Sequence, residues 1–250
     1  MYTDLVSVVI PVHNAEKFIA DTVASVKSQS YENWEIILVD DSSSDNSYAV
    51  MQELAREERI RIFKNDQESG AAGARNCGVE KARGRFLCFL DADDIWFPEK
   101  LEVQVKFMHD KCCAFSFTGY EFATSDGVGV AKIVTVPPAI TYRQALKNTT
   151  IFTSTVMFDM TKVTRELIHM PNVPSEDSAT WWQVLKSGIV GRGIRQPMTL
   201  YRRSEGTLSS NKLLAIKRVW NLYRNVEHLN IFYSIYCFCF YALHAVMRRM

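Results

Sequence analysis

Five groups of residues in this chain have the types and spacing for chemistry on a phosphorylated or hydroxylated ligand. The first is Asp91-Ala92-Asp93-Asp94, directly after the apolar run Phe86 to Leu90. An Asp-x-Asp at a strand end sets two carboxylates on one side of a tight turn, and hard divalent cations take such oxygen ligands. A cation held there can bridge two phosphates and neutralise a diphosphate leaving group. The competing reading is a solvated acidic turn leading into a helix. The second is Asp40-Asp41-Ser42-Ser43-Ser44-Asp45-Asn46, whose carboxylates can accept from a base N–H or a ribose hydroxyl, or merely cap a helix. The third, Ser69-Gly70-Ala71-Ala72-Gly73-Ala74-Arg75-Asn76, offers small residues at a helix start where backbone N–H groups can meet an anion. Arg75 can reach a diphosphate or orient an acidic residue, and close helix–sheet packing explains the glycines equally well. The fourth, Glu176-Asp177, is a general-base candidate or a complement to the helix dipole. The fifth runs from Tyr201-Arg202-Arg203 through Ser209, with paired arginines that suit phosphate.

These groups need elements to position them. Leu5 to Val12, Trp34 to Val39, Ile60 to Phe63 and Phe86 to Leu90 are apolar runs of buried-strand length. Helical patterns separate them: one follows Asn14 with Ala15, Phe18, Ile19, Val23 and Val26 on one face, a second spans 46 to 58, and a third spans Gly70 to Arg83. Pro98-Glu99 opens a fourth. Strands alternating with helices specify an α/β fold: a mostly parallel central sheet with helices on both faces. Ligands bind such sheets beyond the carboxyl ends of the strands, which is where both acidic clusters lie. Further on, Ala114 to Phe122 and Gly129 to Val136 predict a hairpin around Ser125-Asp126-Gly127. Thr153 to Phe158 reads as a strand, Ser175 caps a helix carrying Glu176-Asp177, and Gly188 stops it. The last 40 or so residues read as helical.

Composition narrows the class. With 250 residues there is room for one large α/β core, and 47% apolar with 23% charged residues is ordinary for a globular chain. A net charge of +1 gives no global field for nucleic acid. Six cysteines without C-x-x-C or zinc spacing fit a reduced, cytoplasmic setting, and the N-terminus has no signal-peptide pattern.

Together, VSVVIPVHNAEKFI, WEIILVDDSSSDNS, SGAAGARNCGVEKARGRFLCFLDADD and SEDSATWWQVLKSG resemble the family 2 glycosyltransferases, which have the GT-A fold. The first three cover roughly residues 5 to 105 and match in order and spacing; the match extends more weakly to about residue 210. Within the family, the chain is similar to short bacterial enzymes of O-antigen, capsule and teichuronic acid assembly. The resemblance implies an inverting hexosyltransferase with glucose or galactose as the transferred sugar. A UDP-sugar is the donor, a diphosphate-lipid-linked saccharide the acceptor, and Mn²⁺ or Mg²⁺ the cofactor. It places Pro11, His13 and Asp41 at the nucleoside, with Asp41 on the uracil. It sets Asp91 near the ribose, Asp93 on the metal and Asp177 as the base. One departure stands out: many relatives carry a His in the loop after the counterpart of Tyr201-Arg202, whereas here that loop reads Arg203-Ser204-Glu205-Gly206. Arg202 or Arg203 is then the candidate for the diphosphate, and Ser204 to Ser210 the candidate lid.

The expected organisation is a catalytic domain over 1–210, with a nucleotide-sugar half at 1–105 and an acceptor half at 106–210, followed by a helical tail over 211–250. Ile231 to Met247 is 17 residues, short for a membrane span, and Arg248-Arg249 follow it. Its aromatic content predicts a helix lying on the inner face of the plasma membrane, with Lys212, Lys217, Arg218 and Arg224 toward anionic headgroups. The alternative is packing on the domain or at a dimer interface. Two rival functions are a non-catalytic nucleotide-sugar or glycan-binding module, which would not need Asp177, and a nucleotidyltransferase. The latter needs a Gly-rich basic loop near the first strand, and Pro11-Val12-His13-Asn14 is not one. All of these readings converge on one expectation: Asp41, Asp93 and Asp177 meet in a single cleft at the rim of the sheet.

Overall fold

A computed structural model describes residues 2–148, 150–202 and 212–247. The chain runs β1 (Val6–Val12), α1 (Ile19–Lys27), β2 (Trp34–Asp40), α2 (Ser47–Leu54), β3 (Ile60–Lys64), α3 (Ala71–Lys81), β4 (Phe86–Phe89), β5 (Ile95–Trp96) and α4 (Lys100–Asp110). It continues with β6 (Phe115–Ala123), β7 (Gly129–Val134), β8 (Ala139–Ile140), α5 (Tyr142–Ala145), β9 (Met157–Asp159), α6 (Glu176–Lys186), β10 (Gly191–Arg202), α7 (Lys212–Asn221) and α8 (Ile231–Met247).

One sheet collects all the strands in the order β3-β2-β1-β4-β9-β6-β10-β5, with β7 beside β6 and β8 beside β10. β1 to β4 are mutually parallel, as the apolar runs predict. Beyond β4 the sheet is mixed, because β9 enters antiparallel between β4 and β6. β1 alternates strictly. Val6, Val8, Ile10 and Val12 pack with Ile19, Val23 and Leu101 on one face. Val9 packs with Ala74, Cys77 and Trp181 on the other. The chain steps outward from β1 to β3, then returns across β1 to β4, so the switch in direction leaves a crevice above the ends of β1 and β4.

Three elements differ from the sequence reading. Thr153–Thr155 is a 3₁₀ turn, and only Met157–Asp159 is strand. β10 is a twelve-residue strand that no apolar run announces. Gly193 lets it approach its neighbour, where a Cβ would stand 2.0 Å from the Pro137 carbonyl oxygen, and Pro197 sits between two register shifts against β6. The tail is interrupted: Leu222–Val226 widens to a π turn, His228 takes a left-handed φ of 51°, and the chain restarts at Ile231.

The inner face of the tail packs on the domain. Tyr223 stacks on Trp182 at 5.5 Å and donates its hydroxyl to the Leu146 carbonyl. Glu227 accepts from Tyr142 and from Lys186, and Cys237 is fully buried. Arg224 turns its guanidinium onto the Leu229 carbonyl, so it pins the interruption instead of reaching outward. The outer face of α8 is apolar and exposed at Phe232, Ile235, Tyr236 and Leu243. Among the described residues no helix is long and apolar enough to cross a membrane.

Candidate active site

The Asp91–Asp94 turn is held by a residue that the sequence did not single out. Ser154 accepts the Asp91 N–H at 3.1 Å and donates its hydroxyl to Asp94 Oδ2, while its carbonyl accepts from Trp96 Nε1 at 2.7 Å. Asp94 is fully buried and also accepts the Arg202 N–H at 3.2 Å. It therefore stitches the turn to the end of β10 and is spent on structure. Asp91 and Asp93 remain half-buried at the crevice. Burial, and then the nearby Asp91 charge, push the Asp93 carboxyl up to about 6. Among the described residues no cationic side chain contacts Asp93, and a carboxylate so placed gains from a bound cation.

Asp41 closes the nucleoside side. It is 7% exposed, accepts from Asn65 Nδ2 at 2.7 Å on one oxygen and from the Gly70 N–H at 2.8 Å on the other. Each carboxylate oxygen keeps a second lone pair for a ligand N–H. His13 Nδ1 donates to the Asp41 carbonyl at 2.7 Å, and its Nε2 lies 3.1 Å from the Asn14 side-chain amide nitrogen, so the ring is held in one orientation. Asn14 does not cap α1; its side-chain oxygen holds the Ser44 N–H at 2.8 Å. Asp45 does serve as a cap, accepting the Ser47 N–H at 2.9 Å. Backbone in the left-handed region occurs at Asn14 (φ 50°), which lines the crevice, and at Ser42 (φ 57°), next to Asp41.

The glycines before α3 have separate uses. Gly70, at φ 114°, aims its N–H at Asp41, whereas a Cβ on Gly73 would lie 1.7 Å from the Glu68 carbonyl oxygen and one on Gly78 2.3 Å from Val9. Close packing is thus the main reason for the small residues. The anion that the helix start meets here is Asp41 itself.

Arg75 joins the two halves of the chain. Its Nη2 reaches Asp91 at 2.6 Å and its Nη1 reaches Glu176 at 2.8 Å, with the guanidinium almost fully enclosed. The two carboxylates raise its pKa above even the ordinary arginine range, despite burial. Losing Arg75 would leave both acids uncompensated, at a cost of about 3–5 kcal/mol. Glu176 is thereby committed, and Asp177 is left as the acid without a contacting cation. Asp177 accepts from the Thr153 hydroxyl at 3.3 Å and from the Ser178 N–H at 2.6 Å. Burial, and then the Glu176 charge, hold its carboxyl above the usual range; Arg75 offsets part of this and Asp91 adds to it.

Arg202 is 3% exposed and pairs with Asp21 at 2.8 Å beside the ring of Phe18. Its Nε and Nη1 are buried without a hydrogen-bond partner among the described residues. Arg203 and the Ser204 to Ser210 segment lie outside the described residues.

A cavity of about 450 Å³ takes in Pro11, His13, Phe18, Asp41, Arg75, Asp91 and Asp93. That volume is in the range of small-ligand sites. Asp177 stands behind its Asp91–Arg75 wall. Asp41 and Asp93 thus share one cavity, whereas Asp177, expected in the same cleft, does not line it and feels it only through the charges of Arg75 and Asp91, because Arg75 fills the space between the cavity and the start of α6. Ser154 and Thr153 escaped the sequence reading because isolated hydroxyls carry no spacing signal, and the structural role of Asp94 within its cluster could not be told apart from that of its neighbours.

Comparison with known proteins gives the family and the fold. Residues 7–163 match the family described as Glycosyl transferase family 2. The chain is 43% identical over 248 residues to the putative teichuronic acid biosynthesis glycosyltransferase TuaG of Bacillus subtilis, covering 98% of each chain. It is 36% identical over 246 residues to WfaP of Escherichia coli, a UDP-Glc:alpha-D-GlcNAc-diphosphoundecaprenol beta-1,3-glucosyltransferase, covering 98% of this chain and 96% of that one. Among solved structures, the mannosyltransferase PcManGT from Pyrobaculum calidifontis, in complex with GDP-Man and Mn²⁺, superposes with a TM-score of 0.70. It is 17% identical over 92% of this chain and 66% of that one, a likeness of fold.

Proposed function

Because the chain belongs to glycosyltransferase family 2 and is a glycosyltransferase of GT-A fold, we propose that it moves a hexose, with inversion, from a UDP-sugar to a diphosphate-lipid-linked saccharide in bacterial surface-polysaccharide synthesis. The observation that supports this reading is the Asp91–Arg75–Glu176 bridge, which ties the start of α6, where Asp177 follows Glu176, to the wall of a crevice lined by Asp41 and Asp93. In this reading residues 1–105 hold the donor, 106–210 the acceptor, and 211–250 form the tail. Glucose is the favoured sugar, since WfaP is described as a glucosyltransferase, and galactose is the alternative.

Each residue then has a task. Pro11 and His13 flank the base, Asp41 accepts from the uracil N–H, and Asp91 lies toward the ribose. Asp177 takes the proton from the acceptor hydroxyl as it attacks the anomeric carbon on the face opposite the diphosphate. Arg202, whose Nε and Nη1 have no hydrogen-bond partner among the described residues and whose charge reaches Asp93, is assigned to steadying the diphosphate.

The donor set fits Mn²⁺ or Mg²⁺. Among the described residues no cluster of three or more metal-binding side chains occurs, but such ions are commonly held by one or two carboxylates plus substrate phosphates. Asp93, with Asp91 beside it, supplies that pair. A bound cation would neutralise the charge that grows on the departing diphosphate. The solved mannosyltransferase of like fold holds Mn²⁺.

The outer face of α8 is the surface for a peripheral contact with the inner leaflet. Phe232 is 82% exposed, and Lys147 sits 4.6 Å above the Tyr236 ring, a cation beside apolar side chains.

A panel of UDP-, GDP- and dTDP-sugars, assayed with a GlcNAc-diphosphate-lipid acceptor and Mn²⁺, tests the proposal. Transfer from UDP-glucose or UDP-galactose that EDTA abolishes is expected, with loss in Asp93→Ala. Donor binding without turnover would favour a non-catalytic sugar-nucleotide module instead.

A further inference from the structure

A second cavity, of about 630 Å³, lies away from the donor crevice and shares no residue with it. Asn172, Val173 and Pro174 form one wall; Lys217, Arg218 and Asn221, on α7, form the other. No acid lines it. Lys217 is exposed and Arg218 half-buried, and neither is paired with an acid among the described residues. The Asn221 side-chain oxygen accepts from Asn225 at 2.7 Å, which leaves its amide N–H groups free to donate.

The position of this groove gives it a role. Pro174 precedes Asp177 by three residues, a stretch that spans at most about 11 Å even fully extended. The start of α6 therefore stands between two cavities: Arg75, on the donor wall, grips Glu176, while Pro174, on the other side, opens onto α7. The two differ in charge. The donor crevice presents Asp91 and Asp93, so an anion enters it with a cation. The second groove presents a lysine and an arginine with no carboxylate, so it takes a phosphate directly. The α7 wall also adjoins the tail: Trp220 meets Phe238 of α8 edge-on at 6.0 Å.

We infer that the groove between residues 172–174 and α7 binds the diphosphate of the acceptor, through Lys217 and Arg218, and so delivers the acceptor sugar hydroxyl to Asp177. This rests on the proposed diphosphate-linked acceptor. It adds a subsite that separates the anion of the acceptor from that of the donor.

The test compares two acceptors: decyl-diphosphate-linked N-acetylglucosamine, and a decyl glycoside of the same sugar without phosphate. Lys217→Ala/Arg218→Ala should raise KM for the diphosphate acceptor by about tenfold or more. The donor KM, and turnover of the phosphate-free glycoside, should not change. Lys217→Arg/Arg218→Lys should restore most of the loss. An unchanged KM, or an equal loss with both acceptors, overturns the inference. Flotation with anionic vesicles separates the acceptor from a lipid headgroup: if the alanine variant stops floating while its KM holds, the cations serve the lipid surface and the inference fails. Should the wild type transfer sugar to neither acceptor, it is the functional proposal that has failed. The groove is then read by calorimetric titration with decyl diphosphate, where about tenfold weaker binding by the alanine variant supports the subsite and equal binding refutes it.

Discussion

At the scale of single residues, Asp177 and Glu176 are neighbours with opposite fates. Arg75 draws the Glu176 carboxylate into an ion pair, and Asp177 keeps only neutral donors. Burial and the Glu176 charge raise the Asp177 pKa in the folded chain. A base must be deprotonated to act, so the acid limb of kcat/KM should lie above the ordinary carboxylate range, with activity rising as pH rises through it. Stability runs the other way. A carboxyl whose folded pKa is raised binds more protons folded than unfolded, so stability is lost as pH rises from the unfolded value through the folded one. Asp177→Asn removes that penalty. It should lower kcat/KM by about 10²–10⁴-fold, the usual worth of a general base. Its melting temperature at neutral pH should equal or exceed that of the wild type. A variant that melts early while keeping activity would make Asp177 a structural acid.

At the scale of elements, the loop before α3 ties two strands' worth of chemistry together through one glycine. Gly70 sits at φ 114° and ψ 169°, a region essentially reserved for glycine, and nothing lies within 4 Å of where a Cβ would be. Gly70→Ala should therefore cost about 1–3 kcal/mol from backbone strain alone. It should also loosen the N–H that holds Asp41, raising the donor KM with little change in kcat. Gly73→Ala should destabilise more, since its Cβ would collide with the Glu68 carbonyl. Urea denaturation and donor KM for the two variants check the contrast, and a donor KM unmoved by Gly70→Ala would sever Asp41 from donor binding. These same elements explain what was legible beforehand. β1, β2 and β4 are largely apolar runs, and β2 and β4 end in carboxylates, so both strand and site could be read. β10 was hidden because Gly191, Gly193 and Pro197 look like turn residues until a neighbouring backbone is seen to need them. Ser154 was hidden for another reason: its partners Asp91, Asp94, Trp96 and Thr199 are 45 or more positions away in sequence. Spacing marked the Asp91–Asp94 cluster as a unit, but only burial separates Asp94, which pins the turn, from Asp93, which faces the crevice.

At the scale of the whole molecule, the inner face of the tail packs on the domain, and its outer face is the one proposed to meet lipid. Tyr223, Leu222 and Cys237 are buried against the domain, while Phe232, Ile235, Tyr236 and Leu243 share the opposite side of α8 at helical spacing. A face this apolar is costly in water, and a lipid surface would cover it without breaking the packing beneath. A side chain of this size contributes about 1.5–3 kcal/mol when fully buried, so two of them shift partitioning by roughly a hundredfold or more. Phe232→Ser/Ile235→Ser should therefore abolish flotation with vesicles that carry the wild type. The inner face is untouched, so melting temperature and turnover of a short-chain, water-soluble acceptor should hold. Turnover of a long-chain acceptor presented in vesicles should fall, because the enzyme no longer shares the surface with its substrate. A wild type that stays in solution at every lipid composition, or a double variant that floats as well as its parent, would leave α8 a packing element and return the apolar face to some other partner.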